Sequence, residues 1–173
     1  MSLDVGAHHS PVTAVPRQRD VHRPGLSQAE RWAGLLVASG RGEQASFELL
    51  AQETRGSLLF RAVRILPDVG DADEVVYDSL LEAWCTANRY DPLRWAASTW
   101  LGQIIIADHH GVRTGLQSLT DRQRQAVRLT YHEGLTSGQS AARLGVPVAT
   151  MRSRLHDGIG RLRGVVNGAE PAS

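Results

Sequence analysis

Arginines near the C-terminal end are the side chains of this sequence best suited to a phosphate-rich ligand. Arg152, Arg154, Arg161 and Arg163 follow one another within a short stretch. A guanidinium group presents a planar fork of donors that matches a phosphate group in a bidentate manner. The spacing therefore indicates a nucleic-acid-binding surface at this end of the chain.

A row of carboxylates near the middle of the chain is the second feature that could take part in binding. Glu74, Asp78 and Glu82 recur every four residues, which places them on one side of a helix. Like charges at this spacing repel one another by roughly a few tenths of a kcal/mol per pair. Two interpretations stay open for this row: an ordinary solvated helix face, or a docking face for a basic partner surface.

The charges of the chain are segregated although their sum is close to zero. Its 173 residues carry 19 basic and 18 acidic side chains, a net charge of +1, and every basic residue is an arginine. Residues 26–110 hold 7 arginines against 12 acids, whereas residues 118–166 hold 8 arginines against 3 acids. An acidic half and a basic half predict two partners of opposite charge, with nucleic acid the default partner of the basic half.

Cysteine content and hydropathy indicate the compartment. The single cysteine, Cys85, excludes disulfide frameworks and multi-thiolate metal sites and is typical of a reducing environment. No apolar run approaches the roughly 18 residues of a membrane span. We therefore expect a cytoplasmic protein without membrane insertion, in which Cys85 is a packed side chain rather than a redox switch.

Helical spacing of the apolar residues from Leu26 onward predicts an all-α fold of two small helical domains. Gly40-Arg41-Gly42 is expected to end the first helix. An Asp-x-x-Glu signal at Asp71 and a second signal at Asp91 are expected to begin two later helices. The expected divisions are a disordered leader at 1–25, a first domain at 26–110, a short linker at 111–117, a second domain at 118–166 and a disordered tail at 167–173.

The basic half has the spacing of a helix-turn-helix. Ala141 is followed by Gly145 and then by Met151, so that two helices can cross closely around a glycine turn. The second helix would present Thr150, Arg152, Ser153 and Arg154 at its exposed N-terminal end, and Arg161 and Arg163 would lie against phosphates. The residues expected to be buried are Leu144, Val146, Met151, Leu155, Ile159 and Leu162. A plain helical hairpin with a solvated arginine face is the alternative, and the local excess of arginines favours DNA.

Several segments, in the right order, resemble the extracytoplasmic-function (ECF) sigma factors of bacterial RNA polymerase. DADEVVYDSLLEAW at 71–84 is similar to the region 2 helix that docks on the clamp helices of core polymerase. YDP at 90–92 and TWL at 99–101 are similar to the segment that opens and reads the minus-ten promoter element. LTDRQRQAV at 119–127, GLT at 134–136, ARLGVP at 142–147 and TMRSRL at 150–155 resemble region 4, which reads the minus-thirty-five element.

The resemblance implies a dissociable specificity subunit that directs promoter-specific initiation, with core RNA polymerase and promoter DNA as partners. It implies no catalysis, no metal and no cofactor. The polymerase-binding residues that it implies are Glu74, Val76, Tyr77, Asp78 and Glu82. The residues that it places at the melted strand are Arg89, Arg94, Trp95 and Ser98, and the Trp95 ring could stack on an unpaired base.

Three departures from the ECF pattern suggest an altered member. Ser137, Gly138, Gln139 and Ser140 stand where the family usually has an aromatic, a polar residue, Glu and a branched apolar residue, and Gly138 inside a helix would cost about 1 kcal/mol. Tyr77 stands where Gln is common. Residues 111–117, even fully extended, reach only about 25 Å, which is short for the family's connector. A sigma-like regulator that binds polymerase or an anti-sigma factor without standard initiation is therefore a second hypothesis.

An enzyme of a different class is a remote alternative. Residues 104–106 resemble a strand, and Asp108-His109-His110 follows it, as in metal-dependent DHH-type phosphoesterases. Asp71 and Asp73 could supply further carboxylates. The other strands that such a site needs are missing from the sequence pattern, so that the sigma-factor interpretation is preferred.

Overall fold

The computed structural model describes residues 27–66 and 68–168, and the regular elements within these ranges are all helices. The α-helices are α1 (Gln28–Gly40), α2 (Gln44–Ala62), α3 (Val69–Thr86), α4 (Ala97–Ile104), α5 (His110–Ser118), α6 (Asp121–Val127), α7 (Ser137–Leu144) and α8 (Val148–Val166). A 3-10 turn (Ala87–Arg89) follows α3, and a π-helical turn (Arg128–His132) extends α6. The all-α prediction is confirmed.

The two predicted disordered ends fall largely outside this description. The leader at 1–25 and residues 169–173 of the tail lie outside the described residues. Asn167, the first residue of the predicted tail, donates from its side-chain amide to the Cys85 carbonyl oxygen at 3.3 Å. None of the described helices is both long and apolar enough to cross a membrane.

Helices α1 to α4 form what we call the N-terminal half. A capping box begins α1: the Ser27 hydroxyl accepts from the Glu30 N–H, and the Glu30 carboxylate accepts from the Ser27 N–H. The helix ends at Gly40, as the Gly-Arg-Gly turn predicts. A Cβ at Gly40 would lie 2.8 Å from the Ala87 carbonyl oxygen, so glycine is required where α1 meets the 3-10 turn.

Two helix starts differ from the prediction. α3 begins after Asp68, whose carboxylate caps the first turn, rather than at Asp71. α4 begins only at Ala97, because the Asp91 carboxylate instead accepts from the Leu93 N–H at 2.9 Å and holds a local turn. A hydrogen bond from a nearby backbone N–H to an Asp carboxylate occurs both at helix N-termini and in isolated turns, so the sequence at Asp91 does not distinguish the two.

Helices α5 to α8 form the C-terminal half, and they include the residues predicted to be a linker. Residues 111–117 are not an extended connector: they lie within α5, which packs along α8. Val112 and Gly115 are buried at this contact. A Cβ at Gly115 would lie 2.8 Å from Leu162 Cδ2, so this glycine permits the close approach of the two helices. Burial along α8 explains why a glycine-containing segment forms a helix here.

The two halves pack against each other, and we call the surface between them the seam. Helix α3 lies in the seam and contacts α5, α8 and the π-helical turn. The Phe47 ring of α2 lies 4.5 Å from the Trp84 ring and 5.6 Å from the Tyr131 ring of the C-terminal half, centroid to centroid. All three rings are buried, and the apolar residues of both halves form one continuous core.

Candidate functional site

The helix-turn-helix predicted from spacing is formed by α7 and α8. Thr136 and Gln139 make a capping box at the start of α7. Gly145 ends α7 with φ of 63°, in the left-handed region that glycine adopts without steric cost. Ala141 is buried where the helices cross, and Met151 is fully buried beneath α8. The predicted apolar set faces the core: Met151, Leu155, Ile159 and Leu162 are buried, while Leu144 and Val146 are partly buried.

The unusual residues at the start of α7 have specific surroundings. Gly138 occupies the first turn, so it does not impose the cost expected of glycine in a helix interior. Ser137 is buried, and its hydroxyl donates to the Glu48 carboxylate of α2. Ser140 is also buried, with its hydroxyl 3.4 Å from that of Thr130. The small polar residues therefore fit a contact between α7, α2 and the π-helical turn.

The N-terminal end of α8 carries the predicted base-reading residues. Arg152 and Ser153 are exposed, and Thr150 and Arg154 are half-buried. Arg143 of α7 pairs with Glu133 at 2.8 Å, whereas neither Arg152 nor Arg154 forms an ion pair within the described residues. Both guanidinium groups can therefore reach a ligand without breaking an internal pair.

The two arginines further along α8 have different surroundings. Arg161 is exposed, and its guanidinium donates to the Ser118 carbonyl oxygen at 3.4 Å. The Arg163 guanidinium lies 4.7 Å above the centre of the Trp84 ring and donates to the Trp84 carbonyl oxygen at 3.3 Å. In this arrangement Arg163 belongs to the seam, and the expectation that it faces phosphates is wrong for the closed chain. Because Arg163 follows Arg161 by two residues, which is about half a helical turn, its side chain lies on the opposite face of α8.

The residues predicted at the melted strand lie around a loop between the 3-10 turn and α4. Arg89, Arg94 and Trp95 are exposed, and Ser98 is half-buried. The Tyr90 hydroxyl donates to the Trp95 carbonyl oxygen at 3.0 Å and thereby fixes the loop. The Trp95 side chain is 48% exposed. Leu93, to which the sequence pattern assigns no role, is 95% exposed in the same loop.

The row of carboxylates is not the solvated face that its spacing suggests. Asp78 is only 5% exposed, and the neighbouring Val76 and Tyr77 are also buried. Glu82 is half-buried, and only Glu74 is exposed. The expectation of an open docking face on α3 is therefore wrong for this arrangement of the chain.

Basic side chains of the C-terminal half cover this row. The pairs are Asp78 with Arg113 at 2.9 Å, Glu82 with His109 at 2.6 Å, and Glu74 with His132 at 3.2 Å. Arg55 adds a further bond across the seam, since its guanidinium binds Asp73 and donates to the Tyr131 carbonyl oxygen. Sequence reasoning missed these partners. For His109 and Arg113 the sequence signal is a basic cluster at 109–113, within and beside the predicted linker; the cluster does not include His132 or Arg55.

Burial changes the acidity of groups on α3. Removal from water raises the pKa of the Asp78 carboxyl above its ordinary value, and the hydrogen bond from Arg113 offsets part of this effect. Burial also raises the pKa of the Tyr77 hydroxyl. The pKa of the Cys85 thiol is raised by burial to about 12, so that the thiol stays protonated at neutral pH, as expected for a packed side chain.

The arrangement required by a phosphoesterase is not present in the described part of the chain. Residues 104–106 end α4 and enter a turn, so they are not a strand. His109 is buried and holds Glu82 and Ser79. Asp71 and Asp73 lie on the first turns of α3, and no group of three or more His, Cys, Asp or Glu side chains within the described ranges could hold a metal ion.

Comparison with known proteins gives consistent similarities. The family Sigma-70, region 4 matches residues 115–164, which span most of the C-terminal half. The ECF RNA polymerase sigma factor SigK of Mycolicibacterium vanbaalenii is 30% identical over 168 residues, covering 75% of this chain and 86% of the relative. SigK of Mycobacterium ulcerans is 29% identical, covering 75% of this chain and 90% of the relative.

A match 168 positions long is longer than 75% of a 173-residue chain, so the relative contains residues within the matched range that this chain lacks. Together with the helix-turn-helix of α7 and α8, the similarities identify the family: the chain belongs to the ECF sigma factors of RNA polymerase.

Proposed function

We propose that this sigma factor directs core RNA polymerase to promoters by using separate surfaces for the enzyme and for upstream DNA. The N-terminal end of α8 is the proposed upstream DNA surface, with Arg152 and Arg154 as its central residues. The observation that carries this proposal is the helix-turn-helix geometry, which leaves these two arginines unpaired within the described residues at the end where a recognition helix meets base edges.

The melted strand is proposed to bind at the loop before α4. The exposed Trp95 ring has a face on which an unpaired base can stack, and Arg89 and Arg94 supply positive charge for the backbone. Leu93 adds an exposed apolar side chain to this surface. We assign no catalytic step to the chain, since every role proposed for its residues is one of binding.

Polymerase is proposed to bind the face of α3 that carries Glu74, Val76, Tyr77, Asp78 and Glu82. Acidic side chains on a helix suit a basic partner surface, and the ring of Tyr77 would supply apolar buried area at such a contact. Because core polymerase and promoter DNA are the partners, we place the protein in the cytoplasm. An anti-sigma factor is a further partner that could occupy the same face.

The packing of the two halves against each other favours a second candidate function. A sigma-like regulator could bind polymerase or an anti-sigma factor without bridging both promoter elements. Residues 111–117 are held in α5 here, and the segment is too short to span the elements without partial unfolding, since one DNA turn alone measures about 35 Å. Transcription on templates of different element spacing distinguishes the two functions.

Glu74→Arg tests the proposed polymerase face. Glu74 is the exposed carboxylate of the row, and reversing its charge would place a cation against a basic partner surface. We expect the full chain carrying Glu74→Arg to bind purified core polymerase about tenfold or more weakly than Glu74→Ala, which loses the same contact with His132 without gaining a cation, as measured by fluorescence anisotropy of labelled protein.

Glu43→Arg is the matched control, because Glu43 is an exposed carboxylate outside α3. Its affinity is expected to match that of the wild type. Equal affinities for Glu74→Arg and Glu74→Ala would contradict the placement of polymerase on this face.

A further inference from the structure

We infer that the C-terminal half of this sigma factor covers the chain's own polymerase-binding face, so that the halves must separate before α3 docks. The inference rests on the polymerase-binding role proposed for α3. In the closed arrangement Tyr77 and Asp78 are at most 5% exposed, and both contact side chains of the C-terminal half. A partner that contacts these side chains therefore selects a state in which the C-terminal half has moved away.

Polar contacts of the α3 carboxylates help to hold the seam closed. The Asp78 carboxylate pairs with Arg113 of α5 at 2.9 Å. The Glu82 carboxylate lies 2.6 Å from the ring of His109, the residue before α5, and the Glu74 carboxylate lies 3.2 Å from the ring of His132 in the π-helical turn. The carboxylates of α3 thus have partners, in this state, within the chain itself. The buried Asp78 is then unavailable to an external partner.

The seam also has features that allow the two halves to separate. The Trp84 Nε1 atom and the Tyr131 hydroxyl are buried in it without a hydrogen-bond partner among the described residues. Such atoms regain hydrogen bonds to water when the halves separate. The Arg113 side chain is 60% exposed, so solvent screens its attraction to Asp78. These contacts stabilise the closed arrangement but still allow the two halves to separate.

The departures from the ECF pattern lie in this same seam. The Tyr77 ring packs against the His132 ring, with centroids 5.2 Å apart. The Ser137 hydroxyl donates to Glu48. The short segment at 111–117 contributes Arg113 to Asp78. One interface thus accounts for three features that otherwise have no common explanation.

The DNA surface remains open while the polymerase face is covered. Arg152 and Ser153 are exposed at the start of α8. Arg163, about three helical turns further along, lies over Trp84 in the seam. The closed chain can therefore bind DNA but cannot dock on polymerase through α3.

Two changes open the seam without altering α3. Arg113→Ala removes the partner of Asp78, and an insertion of about ten Gly and Ser residues between Ala107 and Asp108 lowers the effective concentration of one half near the other. The insertion removes no side chain, so it tests the inference even where Arg113→Ala does not fold. The matched control is Arg31→Ala, which removes a pair with Glu53 lying wholly in the N-terminal half.

Small-angle scattering and affinity for purified core RNA polymerase are the two readouts. We expect the insertion to increase the radius of gyration and to tighten binding to core polymerase about tenfold, as for a chain closed about nine-tenths of the time. Arg113→Ala is expected to change both measurements in the same direction by a smaller amount, since an exposed ion pair contributes only about 0–1 kcal/mol. Arg31→Ala is expected to match the wild type in both measurements. Binding of every variant to a random-sequence duplex should stay within about twofold of the wild type.

Expanded variants that bind polymerase no more tightly than the wild type would overturn the inference. An unchanged radius of gyration for both opening variants would overturn it as well. If the wild type and the opened variants all fail to bind polymerase, the proposed function itself is wrong, and this outcome is distinct from the other two.

Discussion

Phe47→Ala is expected to lower the free energy of unfolding by about 3–5 kcal/mol, the range typical of truncating a buried phenylalanine. The Phe47 ring is fully buried and contacts Trp84 and Tyr131, so that it joins α2 to α3 and to the C-terminal half. Its removal leaves a cavity at the point where the two halves share their core. Urea denaturation followed by circular dichroism measures the loss.

Phe60→Ala is the matched control, since the Phe60 side chain is 63% exposed. It is expected to change the free energy of unfolding by less than about 1 kcal/mol. Similar losses for the two variants would mean that Phe47 does not occupy the central position in the core described above.

Arg152→Ala is expected to weaken binding to the upstream promoter element about tenfold to a hundredfold, because a base contact contributes about 1–3 kcal/mol. The guanidinium is exposed on the first turns of α8 and forms no ion pair within the described residues. The affinity of the full chain is measured on a duplex selected by the wild-type protein from a random library. A relaxed preference at one position indicates a base contact, whereas a uniform loss with a smaller salt dependence indicates a phosphate contact.

Arg64→Ala removes the same type of side chain from an exposed position in the N-terminal half and serves as the control. Its affinity for the selected duplex is expected to stay close to that of the wild type. If Arg152→Ala and Arg64→Ala lose affinity equally, the arginines act only through total charge and α8 is not a recognition helix.

The helix-turn-helix could be predicted from the sequence because its determinants are local. Ala141, Gly145 and Met151 fix the crossing, the turn and the anchoring of α8 within a short stretch of chain. The apolar period of α8 likewise predicts which side faces the core. In the same way, the lone Cys85 is packed in the interior, as its surroundings in the sequence suggest.

The burial of the carboxylate row could not be predicted in the same way. Arg113 is 35 residues from Asp78, and His109 is 27 residues from Glu82. The helical spacing of the acids is the same for a solvated face, a docking face and a face covered by another part of the chain. Only the packing of the two halves distinguishes these possibilities.

The segment at 111–117 shows a second limit of local reasoning. Its glycines predict a connector, because glycine disfavours an isolated helix. In the folded chain Gly115 instead lets α5 approach α8, and the burial of Val112 and the close contact with Leu162 favour the helix. Tertiary contact thus overrides local preference where the two helices meet.

Run-off transcription with purified core RNA polymerase tests the central claim most directly. Templates carry promoter sequences selected by the mixture of core enzyme and full chain, with the spacing between the two elements varied. We predict a transcript that starts at one defined position, requires the full chain, and is strongest at one spacing. Transcription that is the same with and without the chain on every template would contradict the proposal that this protein directs initiation.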